Sequence, residues 1–328
     1  MPAPGVGGDV PINGEAGPDE ASMVMVLGTA TIGNLGAPML DEDAHQVVHG
    51  ALDLGVTSFD TAPLYGLGLA ERRLGVALRG VPRDSYRLST KVGRVLVEEP
   101  HATGDQWAGF HTASHLRPRW DFSTNGVRRS IEQSFERLET AQVELALLHD
   151  PDLSGDADAV PRGLEALDML RADGLVQRIG VASKDIRALE RALDFGGADV
   201  LMIPGRLTLI NREASAIARR AEASGVAIWN AAPFNGGALA GAPLRASGYG
   251  ALSDAEAAAF ARVRSLAAEF DVPVAPAALQ YAARLPAVER LTVGAASASQ
   301  IADNLAGLRM PLPAVFWERL DAMLESDA

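Results

Sequence analysis

Eight short apolar runs recur along the chain, and most are followed by a segment in which apolar positions return with helical spacing. The runs fall at residues 24–29, 57–61, 86–92, 143–149, 178–183, 200–204, 226–231 and 289–294. Near-continuous runs of this length suit strands buried on both faces, as in a parallel sheet covered by helices. The helical segments include residues 41–54, 69–78, 124–138, 161–172, 186–193, 212–223 and 299–308. Strand then helix, repeated eight times, predicts an α/β chain closed into a (β/α)8 TIM barrel. A doubly wound sheet is the competing arrangement, but no G-x-G-x-x-G follows the first run to support it. Residues 1–22 are rich in glycine, proline and acids and carry no lysine or arginine, so they read as a solvated tail. That leaves residues 23–328 as a single barrel domain.

Three connections exceed the usual handful of residues, namely 93–123, 205–211 and 233–252, and long loops in a compact domain tend to carry function. Each follows a strand, so a barrel would gather all three on its C-terminal face. Trp107, Trp120, Trp229 and Phe234 are the expected substrate-pocket walls, by their place in these loops or near a strand end. His111 and His115 have the i, i+4 spacing of a helical metal pair, but no glutamate lies between them and no metal site is expected.

Composition narrows the functional classes. With 328 residues, 48% of them hydrophobic, the chain can bury a large core. A net charge of -13 argues against nucleic acid or an anionic membrane as partner, since both demand basic surface. No stretch approaches the roughly 20 apolar residues that cross a bilayer, and the first residues lack the apolar core of a secretion signal. A cytoplasmic protein acting on a small molecule is the expectation, with monomer and homo-oligomer equally open. The absence of cysteine excludes disulfides, thiolate metal sites and a cysteine nucleophile.

Three of the apolar runs end in an ionisable side chain: Asp60, Lys91 and His149. Tyr65 follows Asp60 by five residues, and Lys91 is one of only two lysines in a chain with 29 basic residues. Taken singly, each has an ordinary account as a helix cap, a packed loop ring, a solvated strand end or a turn histidine. Together, at the mouth of a barrel, they have a chemistry. Hydride addition to a carbonyl builds negative charge on oxygen, and a phenol supplies the proton if its pKa is pulled down. A neighbouring ammonium favours the phenolate, so Lys91 would tune Tyr65, Asp60 would hold Lys91, and His149 would fix the carbonyl oxygen.

The segments Phe59-Asp60-Thr61-Ala62-Pro63-Leu64-Tyr65-Gly66, Glu71-Arg72-Arg73-Leu74-Gly75, Ser89-Thr90-Lys91-Val92-Gly93 and Leu148-His149-Asp150-Pro151-Asp152 resemble motifs of the aldo-keto reductase superfamily. The resemblance spans nearly the whole chain. It implies an NAD- or NADP-dependent dehydrogenase or reductase with Tyr65 as acid/base, Lys91, Asp60 and His149 as partners, and the cofactor across the barrel mouth. Trp120-Asp121-Phe122-Ser123 and Ala232-Pro233-Phe234-Asn235-Gly236-Gly237 are similar to the branch containing L-fucose and D-threo-aldose 1-dehydrogenases and pyridoxal 4-dehydrogenase. That branch implies oxidation of a lactol to its lactone.

By the same resemblance, Ser183 takes part of the nicotinamide carboxamide contact, Ala295 and Ser297 face the pyrophosphate, and Asn304 lies on the adenine side. Gly294 and Gln300 stand where phosphate-preferring relatives carry a lysine and an arginine. Without those cations a 2'-phosphate loses charge-assisted hydrogen bonds, which favours NAD over NADP. Two other readings remain: an NADP-dependent carbonyl reductase, and a nicotinamide-sensing barrel without turnover.

Overall fold

The computed structural model of the chain describes residues 18–102, 104, 106–241 and 252–325. Ten strands occur in it: β1 (Met25–Gly28), β2 (Ser58–Asp60), β3 (Arg87–Val92), β4 (Arg94–Glu98), β5 (Leu116–Trp120), β6 (Val143–His149), β7 (Val176–Ala182), β8 (Val200–Pro204), β9 (Ala227–Ala231) and β10 (Val288–Gly294). Eight of them, all but β4 and β5, form a closed barrel in sequence order with parallel pairing throughout. The ring closes where β1 pairs with β10, Gly28 lying opposite Gly294.

The helices are α1 (Pro18–Val24), α2 (Asp41–Asp53), α3 (Leu69–Ala77), α4 (Thr124–Leu138), α5 (Ala159–Ala172), α6 (Ile186–Phe195), α7 (Ser215–Ser224), α8 (Asp254–Glu269), α9 (Val274–Ala283), α10 (Ala298–Arg309) and α11 (Ala314–Glu325). Seven were expected from their spacing. α8, α9 and α11 add a second apolar core outside the ring, with Phe316, Leu320, Tyr281 and Val263 buried together. The barrel interior holds its own apolar cluster, built from inward residues of neighbouring strands such as Val26, Leu145, Leu147, Val200, Met202 and Trp229.

Two expectations need correction. The solvated tail does not extend to residue 22, because 18–24 is helical and Ala21 is buried against the core. Its small apolar face packs on α10 and β10, which acid and glycine content alone does not reveal. The loop 93–123 is not irregular throughout. Its two ends form an antiparallel hairpin, β4 with β5, in which Arg94 faces Trp120 and Pro118 occupies an edge position that needs no donor. The hairpin leaves β3 through Gly93 at φ 93°, where an added Cβ would stand 2.0 Å from the Phe122 ring. Residues 1–17 and 242–251, with Tyr249, lie outside the described residues.

Candidate active site

Asp60 and His149 end β2 and β6, Lys91 is the penultimate residue of β3, and the parallel pairing of those strands brings them to one end of the barrel. Lys91 and Asp60 are buried and bonded at 2.7 Å. Lys91 also donates to the carbonyl of Thr61 at 2.9 Å, and Ser89 donates to the second Asp60 oxygen at 2.6 Å. The carboxylate is thus held on both sides and cannot swing away from the ammonium.

Tyr65 lies in the turn after β2. Its ring stands 5.9 Å from the His149 ring, edge to face, and 4.8 Å from Lys91 Nζ. The turn is fixed by close backbone approach: Gly66 sits at φ 61°, and a Cβ there would meet the Gly33 carbonyl at 2.4 Å. The following helix is anchored by two residues of the Glu71-Arg72-Arg73-Leu74-Gly75 segment. Glu71, fully buried, accepts from Thr90 and from Arg137, both at 2.7 Å. Arg73 donates to Asp41, to Asn34 Oδ1 and to the carbonyls of Ile32 and Met39. Those contacts clamp the turn after β2 and the turn after β1 together.

The electrostatics differ from expectation in one respect. Burial, then the Asp60 and Asp150 carboxylates, push the Tyr65 phenol well above its ordinary pKa, and the nearby charge that opposes them is Arg94. Lys91 faces the ring of Tyr65 at 4.8 Å and shares its charge with Asp60, whose carboxylate works against the phenolate. Burial, then Arg94 and Lys91, push His149 well below its ordinary value, which makes it a neutral imidazole. His149 Nδ1 is buried with no hydrogen-bond partner among the described residues.

Two site residues carry no signal in the sequence. Arg94 is buried beside β6, donating through Nε to the His149 carbonyl at 3.3 Å and through Nη2 to Asp150. Its guanidinium carbon stands 4.3 Å from the centre of the Trp120 ring. Phe110, 5% exposed, stacks on Tyr65 at 5.9 Å. It reaches that position because the excursion between β4 and β5 crosses to the turn after β1. Gly36 N–H donates to Gly109, His111 N–H to Asn34, and the Asn34 amide back to His111, all within 3.0 Å. A phenylalanine in a glycine-rich loop gives no hint of that span.

The expected pocket walls divide. Trp120 is 39% exposed over Arg94, and Trp107 is part-buried at the tip of the excursion, its backbone paired both ways with Phe110 at 2.9 Å. Trp229 is instead packed in the barrel-interior cluster with Met202 and Leu147, because its strand position points inward. Phe234 bridges the barrel core and the outer helical core. His111 and His115 take separate partners, Gln106 and the Ala102 carbonyl.

The cofactor residues divide as well. Ser183 is fully buried and its hydroxyl is used twice, donating to Asp152 at 2.6 Å and accepting from Asp185 N–H at 2.9 Å. Its single donor is thereby spent, and one lone pair is left to accept from a carboxamide N–H. Ser297 caps α10, and the Gln300 side chain turns back to accept from Ala296 N–H at 2.7 Å. Buried Ala295 accepts from the Thr31 hydroxyl, and Asn304 is part-buried two turns into α10. Gly294 is exposed, and a Cβ on it would meet nothing nearer than 3.9 Å. In the turns after β8 and β9, Arg206 Nε and Asn235 Oδ1 are buried without partners among the described residues. Two orphaned polar atoms, a capped helix start and an open glycine edge on the strand-end face fit a polar, phosphate-bearing cofactor such as a nicotinamide dinucleotide.

Comparisons with known proteins agree with this geometry. The Aldo/keto reductase family matches residues 24–325. The chain is 36% identical to D-threo-aldose 1-dehydrogenase of a Pseudomonas species, over 89% of its own length and 91% of that protein's. It is 32% identical to pyridoxal 4-dehydrogenase of Microbacterium luteolum, over 90% and 92%. Among solved structures, the holo form of an aldo-keto reductase from Bacillus halodurans superposes with a TM-score of 0.72 at 22% identity, over 91% of both chains, which shows a shared fold.

Proposed function

Given that the chain belongs to the aldo/keto reductase family and is an NAD(P)-dependent oxidoreductase, we propose that it oxidises a sugar or sugar-like lactol to its lactone with NAD. The observation that carries the reading is the convergence of Tyr65, the buried Lys91–Asp60 pair and neutral His149 at one end of the barrel. Aldoses and pyridoxal, the compounds for which the two relatives are named, both close into cyclic hemiacetals. A bound nicotinamide would accept the hydride from the anomeric carbon.

Tyr65 as phenolate takes the proton of the anomeric hydroxyl, and neutral His149 donates a hydrogen bond to the same oxygen and fixes its approach. Lys91, held by Asp60 and Thr61, keeps positive charge against the ring through the transfer. Arg206, Asn235, Ser297 and Asn304 are the residues that would hold the dinucleotide. The start of α10 carries no cation for a 2'-phosphate, which supports NAD.

The pKa of Tyr65 gives the reverse direction a specific footing. A phenol held above its ordinary range is protonated at neutral pH, the state needed to donate to a carbonyl. Carbonyl reduction is therefore the second reading, with oxidation gaining as pH rises. Purified protein incubated with L-fucose, other aldoses or pyridoxal and either dinucleotide should yield the lactone, identified by carbon NMR, faster with NAD. Aldehyde reduction alone, with no lactone at any pH, would support the second reading.

A further inference from the structure

Arg94 is bound more tightly than a surface arginine and is used less completely than a structural one. Nε and Nη2 are engaged, by the His149 carbonyl and by Asp150, while Nη1 makes no hydrogen bond among the described residues. The two anchors fix the guanidinium plane, and Trp120 lies over it with its ring 39% exposed. Asp150 reaches Arg94 from a left-handed backbone conformation, φ 43° and ψ 61°, directly after His149. Non-glycine residues adopt that conformation at a cost, which is commonly tolerated at functional sites. Arg94 is buried and Asp150 half-buried, and ion pairs of this kind are a weak source of stability, so burying the guanidinium here calls for another reason.

We propose that Arg94 is the specificity-determining residue of this mouth, its free Nη1 edge donating to a hydroxyl or ring oxygen of a polyhydroxylated substrate while Trp120 covers the substrate's carbon face. This inference rests on the lactol reading above. The guanidinium is next to His149 and acts on Tyr65 through space, so a substrate reaching those groups comes within its range. Its charge is offset by Asp150, with Asp152 close by, so a neutral oxygen suits the free edge better than an anion does. Asp150 in turn can accept from a neighbouring hydroxyl, which gives the donor and acceptor pair that a sugar diol requires. Fixing the plane in advance reduces the ordering cost of binding.

The test compares an aldose with 2-hydroxytetrahydropyran, a lactol with no further hydroxyls. Arg94→Met should lower kcat/KM for L-fucose about 10- to 100-fold more than for 2-hydroxytetrahydropyran, the range set by one lost charge-assisted hydrogen bond. The loss should appear mainly in KM. Equal losses on both lactols, or none on either, would overturn the assignment, since a purely structural arginine supports both substrates alike. NAD binding by calorimetry checks that the variant is folded. Should it misfold, Arg94→Lys carries the same comparison, because a lysine keeps the charge but not the fixed plane. If wild-type protein oxidises 2-hydroxytetrahydropyran and no aldose, lactol chemistry stands and the role of Arg94 falls. If it oxidises neither, both fall.

Discussion

Tyr65 is flanked by two ion pairs, Lys91–Asp60 and Arg94–Asp150, and its titration follows from burial and from the charges in them. Asp60 and Asp150 raise the phenol, after burial, and Arg94 lowers it. Asp150→Asn removes one raising charge and leaves Arg94 uncompensated, so both changes stabilise the phenolate. The rise of oxidation rate with pH should then move to lower pH, read as log kcat against pH; an unchanged or upward shift contradicts this electrostatic picture. The grouping of Asp60, Lys91 and His149, with Tyr65 in the turn after Asp60, was legible because ionisable groups at the ends of apolar runs are conspicuous. Arg94 was not, since an arginine opening a run reads as an ordinary solvated charge until β5 is seen to pair Trp120 opposite it. The partners of Ser183 were not legible either: its hydroxyl closes the turn before α6, and residue type does not say which partner a hydroxyl takes.

Among the elements, α3 does the most to position the chemistry. Glu71 ties it to β3 through Thr90 and to α4 through Arg137, and the turn bearing Tyr65 leads directly into it. Glu71→Ala leaves half-buried Arg137 without its carboxylate and buried Thr90 without an acceptor. The expected cost is about 3–5 kcal/mol, measured by urea unfolding of the full chain, together with a fall in turnover. A loss below about 1 kcal/mol, the range of surface pairs, would show that the clamp is incidental. Strands and amphipathic helices of the ring were readable from period alone. The β4–β5 hairpin was hidden by Pro118 and the charged positions of half-buried β5, and α1 by its acidic, proline-led start.

At the scale of the molecule, a closed parallel barrel puts every strand end on one face, so residues from positions 60, 91 and 149 meet without a separate cofactor domain. On the proposed reading, dinucleotide choice would be set at the seam where the ring closes. Gly294 has room for a side chain and Gln300 faces outward on α10, so Gly294→Lys with Gln300→Arg should fit without strain. The pair should raise kcat/KM for NADP relative to NAD by about 10- to 100-fold, the worth of one added charge-assisted hydrogen bond. An unchanged ratio would place 2'-phosphate discrimination elsewhere. The seam's composition was legible in the sequence, whereas the orphaned Arg206 and Asn235 atoms across the mouth appear only when the loops are folded.

The most direct measurement is the absorbance of reduced nicotinamide formed from an aldose and NAD by wild-type protein and by Tyr65→Phe, with NAD affinity determined for both. Loss of nearly all turnover in the variant at unchanged affinity is the predicted result. Turnover that survives the loss of the phenol would contradict the assignment of Tyr65 as the group that moves the proton.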